Sequence, residues 1–166
     1  MRLFSFLKSA GTKIFGSNET KPVEKPTATV SSSTADLEAA LNASKGAALN
    51  SKVISNGINV DNLDVVVDGD TATIYGQVES TSSKEKVVLI VGNTEGISSV
   101  DDRLSVINEE PEARFYTVKD GDSLSKIAKE MYGDMMKYPV IFEANKPMLV
   151  KEDLIYPGQV LRIPEL

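Results

Sequence analysis

The chain has 166 residues, 41% of them hydrophobic and 25% charged, enough for one modest core or two small ones and too apolar for global disorder. A formal net charge of −6 sets it against polyanions, whose phosphates call for clustered lysine and arginine, so nucleic acid is not an expected partner. With no cysteine and no histidine, and with no Asp/Glu pair in a recognisable catalytic motif, it lacks the thiolate, imidazole triad and ordinary zinc site of common enzyme chemistry, and the expectation is a protein that is not an enzyme.

Residues 1–16, MRLFSFLKSAGTKIFG, set Leu3, Phe4, Leu7, Gly11, Ile14 and Phe15 near one face at a period of about 3.6, which predicts an amphipathic helical segment. Its apolar run LFSFL is shorter than the roughly 7–15 residues of a secretory signal core, so a cytoplasmic location is expected. Residues 17–35, SNETKPVEKPTATVSSSTA, are rich in Pro, Ser and Thr and read as a flexible linker.

A denser pattern follows. Asp36 is expected to cap a helix carrying Leu37, Leu41, Ala48 and Leu49, with Gly46 a weak point in its middle and an end near Asn56 and Gly57. LDVVVDGDTATIYGQV predicts two strands joined by a tight turn at Asp68-Gly69, whose carboxylates face water and lack the spacing of a calcium loop. Ser82 and Glu85 have capping-box spacing, Val87, Val88, Ile90 and Val91 supply a buried stripe, and Gly92 or Asn93 ends that helix. Val100, Leu104 and Val106 then alternate as a third strand, interrupted by Asp102.

The resulting order, α-β-β-α-β over residues 36–108 with the stretch KVVLIVGNTEGISSVDDRLSV, resembles the BON domain, a small bacterial module of helices on a three-stranded sheet. The resemblance implies a binding or interaction module without catalytic residues.

Residues 109–113 break the pattern and read as an interdomain linker. Beyond them a short strand, a helix capped by Asp122 or Ser123 with Leu124, Ile127, Ala128 and Met131 inward, a second helix with Pro139 in its first turn, and a last strand at 160–163 are expected. FYTVKDGDSLSKIAKEMYG, IFEANKP and IYPGQVLRIP, within residues 114–166, resemble the LysM domain, of order β-α-α-β, so the fold class is α+β in two domains. In that family a groove can hold N-acetylglucosamine chains. The matching positions are Gly121, Asp122, Ser123, Leu124, Asn145, Lys146, Pro147 and Ile155, each of which also has a plain role in turns and caps. A peptidoglycan-binding envelope module is therefore the alternative function. The tetrapeptides DGDT at 68–71 and DGDS at 120–123 make two different turns and are neither a duplication nor a shared metal loop.

Taken together, the amphipathic N-terminus, a BON domain ending in SVDDRL and a LysM domain with IFEANKPML and IYPGQVLRIP resemble a family of small cytoplasmic bacterial potassium-binding proteins; the long Ser/Thr/Pro linker is the main departure. This implies a K+ sensor or buffer with ligands near Leu7, Ala10 and Thr12 on one side and Gly92, Thr94 and Ile97 on the other, all backbone carbonyls. Carbonyl oxygens at helix C-termini suit a large monovalent cation and leave no side-chain signature. The resemblance further implies ordering and compaction of the chain on binding, Rb+ and Cs+ as substitutes for K+, poor binding of Na+, a monomer, and at most weak glycan binding. It names no downstream protein partner.

Overall fold

A computed structural model describes residues 2–6 and 33–166. Helix α1 (Ser33–Ser55) begins ahead of Asp36, which therefore sits in the first turn, where its carboxylate meets the positive end of the helix dipole instead of capping it. The helix stops where expected, at Asn56 and at Gly57 with φ 71°. Its second half does the packing: Leu49 and Val53 are fully buried, whereas Leu37 and Leu41 in its first half are exposed. Gly46 is no weak point. A Cβ there would run into the carbonyl oxygen of Val65, so the missing side chain is what lets α1 lie close on the strand beneath it.

Strands β2 (Asp61–Asp68) and β3 (Thr71–Ser80) form the expected hairpin. Asp68 pairs with Thr71, so the two-residue loop is Gly69-Asp70, one residue later than the sequence suggests, with φ 61° at Gly69. Glycine at the first loop position matches the twist of the flanking strands. Helix α2 (Thr81–Gly92) is capped by Ser80, whose hydroxyl accepts from the Ser83 N–H, and not by Ser82. The chain turns earlier than the capping-box reading implies, and Glu85 is left free for another role. Val87, Val88, Ile90 and Val91 are buried as expected, and β4 (Ser99–Asn108) runs parallel to β3.

The N-terminal segment is the main correction. Over Arg2–Ser5 it is not helical but a strand, β1, antiparallel to β4, giving a four-stranded sheet in the order β1-β4-β3-β2. Phe4 and Phe6 fit a period of two and pack on the core, while Leu3 and Ser5 face out. So short a run satisfies both periodicities, and the backbone groups of β4, unpaired on that side without β1, decide between them. The rest of the expected helix, most of the linker, and Leu7, Ala10 and Thr12 lie outside the described residues.

The second unit comprises β5 (Arg114–Thr117), α3 (Leu124–Tyr132), a 3-10 turn (Met135–Lys137), α4 (Tyr138–Ala144) and β6 (Val160–Ile163), with β5 antiparallel to β6. Ser123 caps α3 through the Lys126 N–H, Gly133 closes it with φ 77°, and Pro139 lies in the first turn of α4. Leu124, Ile127, Ala128, Ile141, Leu149, Leu161 and Ile163 form its core.

Both units meet along a seam. Met148 packs against both cores, and the rings of Phe4 and Phe115 lie 5.2 Å apart. Glu85 on α2 is buried and pairs with the guanidinium of Arg162 on β6 at 2.6 Å; its other oxygen accepts from the Ala113 N–H at 2.8 Å. Arg2 pairs with Glu112, so β1 is tied to the connecting segment as well. Among the described residues no helix is long and apolar enough to cross a membrane.

Candidate functional site

The loop between α2 and β4 is tightly wound. The Asn93 N–H donates to the Leu89 carbonyl at 2.9 Å, that of Thr94 to Val91 at 3.1 Å and that of Ile97 to Thr94 at 3.1 Å; the Ser98 N–H reaches the hairpin carbonyl of Asp70 at 2.8 Å. Thr94 and Ile97 are fully buried, and Gly92 is buried beneath the ring of Phe6, which fills the space a Cβ would take. The Phe6 N–H donates to the Ser98 carbonyl at 2.8 Å. Gly92, Thr94 and Ile97 thus belong to one compact turn, and β1 carries the chain alongside it up to the residue before Leu7.

Lys52, in the last turn of α1, extends its ammonium to this loop and donates to the Thr94 hydroxyl at 2.8 Å; that hydroxyl in turn donates to the Ile90 carbonyl at 2.9 Å. Burial lowers the Lys52 amine to about 8. A monovalent cationic group therefore already lies against the loop, in contact with a neutral oxygen at the negative end of the α2 dipole, and the donor chemistry fits a large monovalent cation.

Asn93 faces the other way. Its side chain accepts from the Val160 N–H at 2.7 Å and donates to the Val160 carbonyl at 2.8 Å, as a neighbouring strand would, while its own carbonyl accepts from the Tyr156 hydroxyl at 3.3 Å. Burial pushes the Tyr156 phenol up to about 12. Between the units lies a cleft of about 460 Å³ lined by Lys52, Met148, Asp153, Leu154, Ile155 and Tyr156 among others.

The positions matched to a glycan groove are largely engaged in the domain's own turns. The Asp122 carboxylate accepts from the Lys119 N–H at 2.8 Å and lies 3.1 Å from the Tyr116 hydroxyl; burial, then Asp122 and Glu130, push that phenol up. The Ser123 hydroxyl caps α3, and Leu124 is in the core. Asn145 is buried, and its amide accepts from the Arg162 N–H at 2.7 Å and donates to the Arg162 and Ile141 carbonyls at 2.8 and 2.7 Å. Lys146 pairs with Glu143, Ile155 turns toward the interdomain cleft, and Gly121 and Pro147 are exposed.

Residues 34–108 match the BON domain and residues 116–164 the LysM domain. Over 107 residues, covering 64% of this chain and 72% of the relative, the sequence is 49% identical to the potassium binding protein Kbp of Escherichia coli O6:H1. The chain belongs to the Kbp family of BON–LysM proteins. An uncharacterized protein of Deinococcus radiodurans is 36% identical over 126 residues, 69% of this chain and 49% of that protein. YqbP of Bacillus subtilis, also uncharacterized, is 39% identical over 59 residues, 30% of this chain and 27% of its own length. BON and LysM domains are binding modules, not enzyme families.

Sequence reading missed four residues that organise this family member. Lys52 carries no motif, Asn93 reads only as a helix terminator, Glu85 as a cap, and Arg162 as one position of a strand. Glu85 stands within the polar first half of α2, Thr81–Lys86, so no local signal in the sequence sets it apart as a buried residue.

Proposed function

We propose that the protein is a cytoplasmic potassium sensor or buffer that holds K+ at the α2–β4 loop through the main-chain carbonyls of Gly92, Thr94 and Ile97 together with those of Leu7, Ala10 and Thr12. Its relative Kbp is named a potassium binding protein, which supports the choice of ion. The observation that carries the reading is Phe6: its ring covers Gly92 and its N–H bonds the Ser98 carbonyl, and Leu7 is the next residue in the chain. An ion shared between the loop and the residues after β1 orders that segment and compacts the chain, its binding free energy offsetting the ordering entropy. Rb+ and Cs+ substitute for K+. Na+ is smaller and better hydrated, and a loop closed by its own hydrogen bonds does not contract to meet it. The protein acts as a monomer, and its LysM groove binds chitooligosaccharide weakly at most, in keeping with the engaged side chains of Asp122, Ser123 and Asn145.

The test is calorimetry and backbone amide shifts during titration with KCl, RbCl, CsCl and NaCl at constant ionic strength, on the full chain and on a variant lacking residues 7–13. Because residues 2–6 form β1 and its Phe6 contact, deleting only 7–13 removes ligands without stripping the sheet. The full chain responds at residues 92–97 to all but Na+, and the deletion abolishes the response. Undiminished K+ affinity in the deletion variant, or equal competition from Na+, sinks the proposal.

A further inference from the structure

Resting on the reading of the α2–β4 loop as the potassium site, we infer that the Lys52 ammonium is a tethered competitor for that site, so that K+ enters by displacing Lys52 from Thr94 and the lysine sets the concentration range of the response. Three observations meet here. First, the ammonium donates to the hydroxyl of Thr94, a fully buried residue, which passes the polarisation on to the Ile90 carbonyl in the last turn of α2. An ammonium group and a potassium ion are monovalent cations of similar size that both coordinate neutral oxygens, and the negative end of the helix dipole attracts either. Secondly, a cation held by the carbonyl of Thr94 would share that residue with the ammonium on its hydroxyl, and like charges so placed in a partly buried site repel, so the two occupy the loop alternately. Thirdly, Lys52 has a place to go. It lines the interdomain cleft of about 460 Å³, which Asp153 and Tyr156 also line, so the flexible four-carbon stem can turn the charge from the loop into that space. The base of the stem stays put, because the Asn56 amide donates to the Lys52 carbonyl at 2.7 Å.

The exchange leaves a cationic partner on the buried Thr94 hydroxyl before the ion arrives. It also makes the affinity lower than the carbonyls alone would give.

Lys52→Met, which keeps the apolar stem, and Lys52→Gln, which keeps a polar end, are compared with the full-length wild type by potassium calorimetry. Amide shifts at residues 92–97 are followed in parallel, with choline chloride balancing ionic strength. Both variants are expected to bind K+ about tenfold more tightly, the scale of removing one nearby charge. In the wild type, acylation of Lys52 by an amine-reactive reagent, mapped by mass spectrometry, rises several-fold when K+ saturates the protein and does not rise with choline. Unchanged or weaker K+ binding in both variants, or a Lys52 acylation rate indifferent to K+ while the 92–97 amides respond, overturns the exchange and leaves the loop site standing. Potassium binding without any amide response at 92–97 overturns both. If Lys52→Met does not fold, Lys52→Gln and the wild-type acylation experiment still decide.

Discussion

The α2–β4 loop and the LysM groove are both marked by a glycine turn beside a helix, yet they are built in opposite ways. In the groove, the polar side chains that the motif names are taken up within their own domain: Asp122 closes the turn before α3, Ser123 caps it, and Asn145 satisfies the free edge of β6 at Arg162. In the loop the buried positions Gly92, Thr94 and Ile97 offer mainly backbone, and the side chains packed on it come from elsewhere, Phe6 from just after β1 and Lys52 from α1. Asn93 and Asn145 make the difference concrete. Each pairs with one residue of β6 through both the N–H and the carbonyl, but Asn145 does so inside the LysM unit and Asn93 from the BON unit. The side chains of motif residues can thus be taken up by their own domain, while the loop is shaped by what packs on it from other elements.

The largest expected effect breaks the comparison on the LysM side. Asn145→Ala leaves the N–H and carbonyl of Arg162 buried without their partner, and at about 1–3 kcal/mol for each of these two unsatisfied groups the unfolding free energy from urea titration falls by roughly 2–6 kcal/mol. The potassium response of the 92–97 amides stays unchanged at urea-free stability. A lost response there would mean that the groove and the loop act as one unit.

On the other side, Gly92→Ala puts a methyl group into the ring of Phe6. Overpacking of this kind costs about 1–3 kcal/mol, and here the cheaper relief is displacement of β1, so the stability loss sits at the low end while K+ affinity drops sharply. Hydrogen exchange at β1 and β4 amides reports the detachment; retained β1 protection with weakened ion binding would place the damage in the loop itself.

The smallest effect is one of pH. Lys52 is lowered from 10.5 to about 8, so between those values the unfolded chain holds a proton that the folded chain has lost, and stability rises with pH across that window. Below about 8 the full cost of burying the charge is present. In potassium-free buffer, Tm of the wild type should therefore gain more between pH 7.5 and 9.5 than Tm of Lys52→Met, about 2 pH units being enough to see the difference. Lys86, lowered first by burial, has the same sign in both proteins and cancels. An equal gain in the two would show that the Lys52 ammonium is well solvated.

What the sequence by itself determined was everything written within a few residues: the β2–β3 hairpin around a glycine turn, the apolar stripe of α2, the Ser123 cap, Pro139 at a helix start, and the order of two small domains. Period, cap and turn are local, because neighbours along the chain fix them. Only the tertiary structure decided the rest. A four-residue run at the N-terminus carries too little periodicity to choose helix or strand, and the open edge of β4 chooses strand. Gly46 is a breaker by propensity, and it becomes a contact only because Val65 lies beneath it. Glu85 finds Arg162 across 77 positions of sequence and Lys52 finds Thr94 across 42, separations at which no spacing rule operates. Buried polar groups must be paired wherever the fold brings a partner, and that partner is named by packing in three dimensions, not by adjacency in the chain.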